Sequence, residues 1–138
     1  MRLRRDAKVD LIARAPLFEN CSKRELTQIA SIADEIDLPE GKVLMREGES
    51  GREFVVLLEG SVDVTQGGRK LATRGAGTFL GEIALVSNVP RTATVTTISP
   101  VRALVVTDRA FRELIRRVPS IQLKVLEALA DRVTHDDH

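Results

Sequence analysis

Glycine sets the rhythm of the middle of this chain, and that rhythm allows few folds. Turns at Pro39-Glu40-Gly41, Glu47-Gly48-Glu49-Ser50-Gly51, Glu59-Gly60, Gly67-Gly68 and Gly75-Ala76-Gly77 follow one another at short intervals. Between them run short segments that are apolar or alternate apolar with polar: Ile36 and Leu38, Lys42-Val43-Leu44-Met45, Phe54-Val55-Val56-Leu57-Leu58, Ser61-Val62-Asp63-Val64-Thr65 and Arg69-Lys70-Leu71-Ala72-Thr73. Glycine accepts the positive φ that tight turns need, and a period of two turns one face of each segment toward a core. Alternation resumes through Val95 and Ile98 and over 101–106, with Ser99-Pro100 as the turn. Short strands at close, regular spacing predict an antiparallel sandwich or jelly roll.

Both flanks change to a helical period. Residues 2–15 carry Leu3, Ala7, Leu11 and Ala15 at helical spacing, and the basic start of Arg2, Arg4, Arg5 and Lys8 is a solvated face. Pro16-Leu17-Phe18 ends that helix. Ser22 and Glu25 have the spacing of a capping box, opening a second helix with an apolar stripe of Leu26, Ile29, Ala30 and Ala33. After the strands, Thr107-Asp108 is the cap of a helix bearing Phe111, Leu114, Ile115 and Val118. Pro119-Ser120 interrupts it, and a last helix carries Ile121, Val125, Leu126, Leu129 and Val133. The expected fold class is mainly β with flanking helices: an antiparallel jelly-roll β-barrel with N-terminal helices and two C-terminal helices. One domain over 1–138 is expected, with a helical part at 1–33, the barrel at 34–107 and lid or hinge helices at 108–134.

Composition narrows the function classes. With 138 residues, 43% hydrophobic and 30% charged, the chain fits one soluble domain. No apolar run reaches membrane-spanning length and the N-terminus lacks a signal peptide's apolar core, so a cytoplasmic location without a membrane partner is expected. The single Cys21 excludes an internal disulfide and reads as a small structural residue. A net charge of +1 and four phenylalanines as the only aromatics exert no pull on nucleic acid and offer no base-stacking platform. Both histidines, His135 and His138, lie in the last four residues. A cupin-like enzyme needs several histidines on its strands and is disfavoured, and no serine or cysteine has an evident base partner. No enzyme activity, metal or cofactor is therefore expected.

The residues with chemistry lie at 81–95. Gly81-Glu82-Ile83-Ala84-Leu85 is a glycine-led apolar segment with a carboxylate at its start, and Pro90 then delivers Arg91 at the head of a strand-like run. A helix of one or two turns beginning at Gly81 would aim backbone N–H groups at an anion, and Arg91 can add a forked contact. Glu82 needs a hydroxyl or a cation instead. A ligand with one phosphate and one sugar hydroxyl satisfies all three. The bland alternative is a Glu82–Arg91 ion pair that ties a loop to the barrel, at ~0–1 kcal/mol if exposed.

With these residues in view, the chain resembles a cyclic nucleotide-binding domain, the sensor of catabolite-activator-type regulators, cyclic-nucleotide-dependent kinases and gated channels. The strand-turn-strand from Glu47-Gly48 through Phe54 to Glu59-Gly60-Ser61-Val62 is similar to one family signature, and Gly81-Glu82-Ile83-Ala84-Leu85 with Pro90-Arg91-Thr92-Ala93 resembles the family's phosphate-binding cassette. The resemblance implies that Arg91 holds an exocyclic oxygen of the cyclic phosphate and that Glu82 accepts from the ribose 2′-OH. Ile83 and Ala84 complete the cradle by their N–H groups, and Gly81 lies by the ribose. Thr92 donates toward phosphate or base, and Ala93 leaves room. Cyclic AMP is the expected ligand, with cyclic GMP the alternative. Val125, Leu129 and Arg132 are the candidate base lids.

The expected role is a sensor that signals by helix rearrangement, with Ile83 and Leu85 packed against Phe111, acting on a protein effector or a covalently linked output domain. Val125, Leu129 and Val133 are placed for a homodimer seam or for closing over the pocket. The alternative is the sensor part of a longer cyclic-AMP-responsive transcription factor. Nothing after Val118 resembles a helix-turn-helix, so no nucleic-acid binding is expected of these residues alone. The Met1 start and polar ending lean toward a stand-alone sensor.

Overall fold

The computed structural model describes residues 3–136, with side chains as far as Asp131. It forms two compact units, one of Asp34–Asp108 and one of Met1–Ala33 with Arg109–His138.

The first unit is all β. Strands β1 (Asp34–Leu38), β2 (Val43–Met45), β3 (Glu53–Glu59), β4 (Val62–Gln66), β5 (Arg69–Arg74), β6 (Phe79–Leu80), β7 (Thr94–Thr97) and β8 (Val101–Thr107) make two four-stranded sheets. Their orders are β1-β8-β3-β6 and β2-β7-β4-β5, and the paired strands are antiparallel. The barrel expected from sequence is thus a jelly-roll sandwich of two separate sheets. Both supply one core, Met45, Val62 and Val95 from one side and Val55, Leu57, Val101 and Ala103 from the other. Each such valine or leucine contributes about 1.5–3 kcal/mol by leaving water.

Two polar devices fix the turns. Thr97 is buried, and its hydroxyl donates to the Pro39 carbonyl at 2.7 Å while accepting from the Lys42 N–H at 2.8 Å, which pins the β1–β2 turn. At the β3–β4 hairpin Gly60 has a φ of 91°, and a Cβ there would collide with the Pro100 carbonyl and lie 2.9 Å from Val101 Cγ2. Only glycine fits. The outer strand β5 carries Arg69, Lys70 and Arg74 beside an exposed Leu71, charges that discourage edge-to-edge pairing.

The second unit is helical: α1 (Arg5–Ala13), a 3-10 turn at Pro16–Phe18, α2 (Lys23–Ser31), α3 (Asp108–Arg117) and α4 (Pro119–Asp136). Phe18 meets Phe111 with ring centroids 5.9 Å apart. The expected stripe on α1 needs correction. Leu3, Ala7 and Leu11 are half-buried and Ala15 lies past the helix end, while Val9 and Ile12 are the buried pair. Pro16 stops the helix early, and the larger apolar side chains gain more by burial than Ala7. On α4 Ile121, Val125 and Ala128 are buried, whereas Leu126, expected in the stripe, is exposed. The side chains of Arg132 and Val133 and the tail histidines lie outside the described residues.

Glu25 joins α2 to α4. The capping box is formed, with the Ser22 N–H donating to Glu25 Oε1 at 2.8 Å and the Glu25 N–H donating to Ser22 Oγ at 3.2 Å. Its other oxygen accepts from the Ser120 hydroxyl at 2.5 Å, and Lys124 Nζ approaches Oε1 at 3.3 Å. The Ser120 bond first, then the Ser22 N–H, pull this buried carboxyl from 4.5 down to about 2 against the effect of burial. Burial pushes the neighbouring Cys21 thiol up to about 11, reinforced by the Glu25 charge and opposed by Lys124, so it is protonated and inert near neutral pH.

A carboxyl more acidic in the folded than in the unfolded state stabilises the fold above its unfolded pKa, and that contribution is lost as pH falls through the folded value. Glu25→Gln is expected to lower stability at pH 7 by about 1–3 kcal/mol. The deficit should shrink between pH 4.5 and about 2, read from urea midpoints of both proteins across that range.

Candidate functional site

Strand β6 ends at Leu80, and Gly81 turns the chain with a φ of 73° into a single 3-10 turn, Glu82–Leu85. Of the one or two helical turns expected after Gly81, one forms, and it is 3-10 in type. Ala84 N–H donates to the Gly81 carbonyl at 3.0 Å, so it is committed within the turn instead of being offered to an anion. Ser87-Asn88-Val89 are poor helix formers, and Pro90 biases Val89 toward extended backbone, which stops the helix after one turn. Ala84 and Leu85 are buried, Ile83 is exposed and Glu82 is half-buried, with its Oε2 shielded from solvent.

Arg91 returns alongside the turn that precedes β3. Its N–H donates to the Glu49 carbonyl and its carbonyl accepts from Gly48 N–H, both at 2.8 Å, and Ser50 and Pro90 form an isolated bridge. The side chain is 8% exposed. Nη2 donates to the Glu53 carbonyl at 2.7 Å and lies 3.6 Å from the Glu53 carboxylate. Arg91 therefore pairs with Glu53, a partner that the sequence reading did not name.

Two glycines make room for the guanidinium. A Cβ on Gly51 would sit 3.0 Å from Cζ and Nη1 of Arg91, and one on Gly81 would run into Nη1 and lie 2.8 Å from the Glu53 carbonyl. Gly51 lacks a positive φ, so close approach, not turn geometry, explains the glycine there. Burial pushes the Arg91 pKa down and Glu53 opposes this, but an arginine so placed keeps its charge. A hollow of about 120 Å³ adjoins it, lined by Arg46 and Arg91 as well as by Glu49 and Glu53, so the formal charges on its walls balance.

Beyond Arg91, Thr92 is exposed and its carbonyl accepts from Gln66 Nε2 at 3.0 Å, while Ala93 is half-buried at the entry to β7. Gly81, Glu82, Ile83, Ala84, Arg91, Thr92 and Ala93 all belong to the β unit, with Gly81 and Arg91 in direct juxtaposition. The lid candidates belong to the helical unit. Val125 is buried, a packing residue in this state, Leu129 is half-buried, and Arg132 lies outside the residues with described side chains. Gly51 and Glu53 were missed from sequence: Gly51 was read only as a turn residue, and Glu53 lay between that turn and the strand expected from Phe54. The signal was a second glycine after Gly48, immediately before a buried strand.

Residues 35–118 match the family model described as the cyclic nucleotide-binding domain. The chain belongs to the cyclic nucleotide-binding domain family. It is 34% identical over 135 residues to a protein of Rhodopseudomonas palustris named as a potassium channel, covering 94% of this chain and 32% of that protein. It is 29% identical to a CRP-like cAMP-activated global transcriptional regulator of Mycobacterium tuberculosis, covering 90% of this chain and 58% of that protein. The chain thus spans less than two thirds of the length of either relative. The fold is similar to the crystal structure of the N-terminal domain of a transcriptional regulator from Streptomyces coelicolor, at a TM-score of 0.81 and 28% identity, covering 93% of this chain and 92% of that one. Among the described residues no helix is long and apolar enough to cross a membrane, and no three His, Cys, Asp or Glu side chains are grouped to hold a metal ion.

The glycine floor is testable by stability alone. Gly81→Ala combines a left-handed φ with a collision against Arg91 and is expected to destabilise the domain by ~1–3 kcal/mol in urea denaturation. Gly51→Ala, with ordinary φ and a contact only at the movable end of Arg91, is expected to do less.

Proposed function

We propose that this domain is a sensor for a cyclic nucleotide, cyclic AMP before cyclic GMP, and that it binds its ligand through residues 81–93. The observation that carries this is the buried Arg91 guanidinium held on bare glycine backbone beside the Gly81-Glu82 turn. Taking a cation out of water is costly, and a solvated loop tie would need neither the burial nor the two glycines. An anion that comes to the guanidinium offsets that cost.

In this proposal the cyclic phosphate is met by Arg91 and the Ile83 N–H, and the ribose 2′-OH donates to Glu82. Gly81 brings its backbone close to the ribose. Thr92 offers its hydroxyl toward the phosphate or the base, and Ala93 leaves space against the sheet. The Ala84 N–H joins the cradle only if the 3-10 turn opens, since it is bonded to Gly81 here. The base is covered from the final helix, by Leu129 or Arg132 in preference to the buried Val125. The name of the M. tuberculosis relative, a cAMP-activated regulator, supports cyclic AMP as the ligand.

The proposed role is regulatory and non-catalytic. Residues 1–138 form one sensing module in which helices 108–134 carry the signal to a protein effector or a linked output domain, with the last helix available for a homodimer. The kinds of relative found, a channel and a transcriptional regulator, support an output that lies outside this domain.

A hydrogen bond to a charged group contributes roughly 1.5–3 kcal/mol, and each 1.4 kcal/mol is about a decade of affinity. Arg91→Ala is therefore expected to keep the fold and to weaken cyclic AMP binding by about tenfold to a hundredfold in calorimetry. Equal affinity of the two proteins overturns the assignment. A parallel titration with cyclic GMP decides the base preference.

A further inference from the structure

Away from the 81–93 segment, the helical unit holds a hollow of about 380 Å³, the size of a small-molecule site. Its walls carry three cations, Arg24, Arg117 and Lys124, against one carboxylate, Glu25. Glu25 and Lys124 are already engaged with each other. Glu25 accepts from the Ser22 N–H, the Ser120 hydroxyl and Lys124 Nζ, and Lys124 also donates to the Asn20 carbonyl at 3.2 Å. Two guanidinium groups are then left over. Arg24 and Arg117 are exposed, and neither has an ion-pair partner among the described residues.

The surrounding dipoles add to the positive potential. The N-terminus of α2 at Ser22 and that of α4 at Pro119 both open on this hollow, and Arg24 stands in the first turn of α2, where a cation is unfavourable to the helix. Ser22 Oγ accepts from the Glu25 N–H, so its own proton is available to donate. Gln28 also lines the hollow, and its side-chain amide carries an NH2 donor.

We propose that this hollow is a second anion site, binding a phosphate or carboxylate group through Arg24 and Arg117 with Ser22 and Gln28 as neutral donors. Two guanidinium forks suit an oxyanion with several oxygens better than a monatomic ion. The site is independent of the cyclic nucleotide assignment, because it shares no residue with 81–93.

The test follows backbone amide shifts by NMR while inorganic phosphate, and separately a phosphoserine hexapeptide, is added at constant ionic strength. Saturable shifts at Arg24, Gln28 and Arg117 are expected, unchanged in Arg91→Ala, with affinity at least tenfold weaker in the Arg24→Ala/Arg117→Ala double variant. Both arginines are exposed and tie no element together, so the double variant keeps the fold. Arg116→Ala, next to the hollow in sequence, should bind as the wild type does. Tighter binding of the peptide makes a protein partner the source of the anion, and tighter binding of free phosphate makes it a small molecule. Shifts that do not saturate, that are lost in Arg91→Ala, or that weaken as much in Arg116→Ala as in the double variant overturn the proposal.

Discussion

The burial of one guanidinium against main chain organises the β unit around its candidate site. Arg91 sits at 8% exposure with its Nη2 on the Glu53 carbonyl, and the desolvation of its charge is only partly offset by that carbonyl and a half-exposed carboxylate. Everything nearby accommodates this side chain. Glu53 begins β3 and is paired there with Thr107 of β8, so the backbone whose carbonyl orients Arg91 is set by that ladder. Gly51 and Gly81 give up side chains so that the guanidinium can lie on backbone from both sides. The Arg91 main chain is held in turn by Gly48 and Glu49. The charge is positioned before any ligand arrives, which reduces the ordering that binding must supply.

A buried carboxylate plays the opposite part in the helical unit. Glu25 is fully supplied with donors by Ser22, Ser120 and Lys124, and its charge is satisfied within the protein. Arg91 is under-supplied by comparison, since a guanidinium has five N–H donors and, among the described residues, one short bond to the Glu53 carbonyl. The contrast separates a charge that holds a fold together from one that a ligand can complete.

Legibility in the sequence followed the range of the interactions. Strands and hairpins came through because glycine turns and period-two alternation are local, and the Ser22–Glu25 box spans three residues. Arg91 stood out as a single charge delivered by Pro90 onto an alternating run. Its partner did not, because the Arg91–Glu53 contact joins residues 38 apart and Glu53 looks like any polar strand start. The one- or two-turn helix expected after Gly81 is a single 3-10 turn at Glu82–Leu85: its own residues have good helix propensity, and Ser87 to Pro90 impose the early stop. On α4 the size of Leu126 suggested burial, yet the i, i+4, i+7 row from Ile121 runs through Val125 to Ala128, and the small residue is the buried one.

The central claim is that Arg91 is a preset anion contact. A crystal structure of the domain with cyclic AMP tests it most directly. The account predicts a phosphate oxygen at about 2.7–2.9 Å from the Arg91 guanidinium, with the bond to the Glu53 carbonyl retained. A nucleotide whose phosphate lies elsewhere, with Arg91 still bonded only to Glu53, would contradict it.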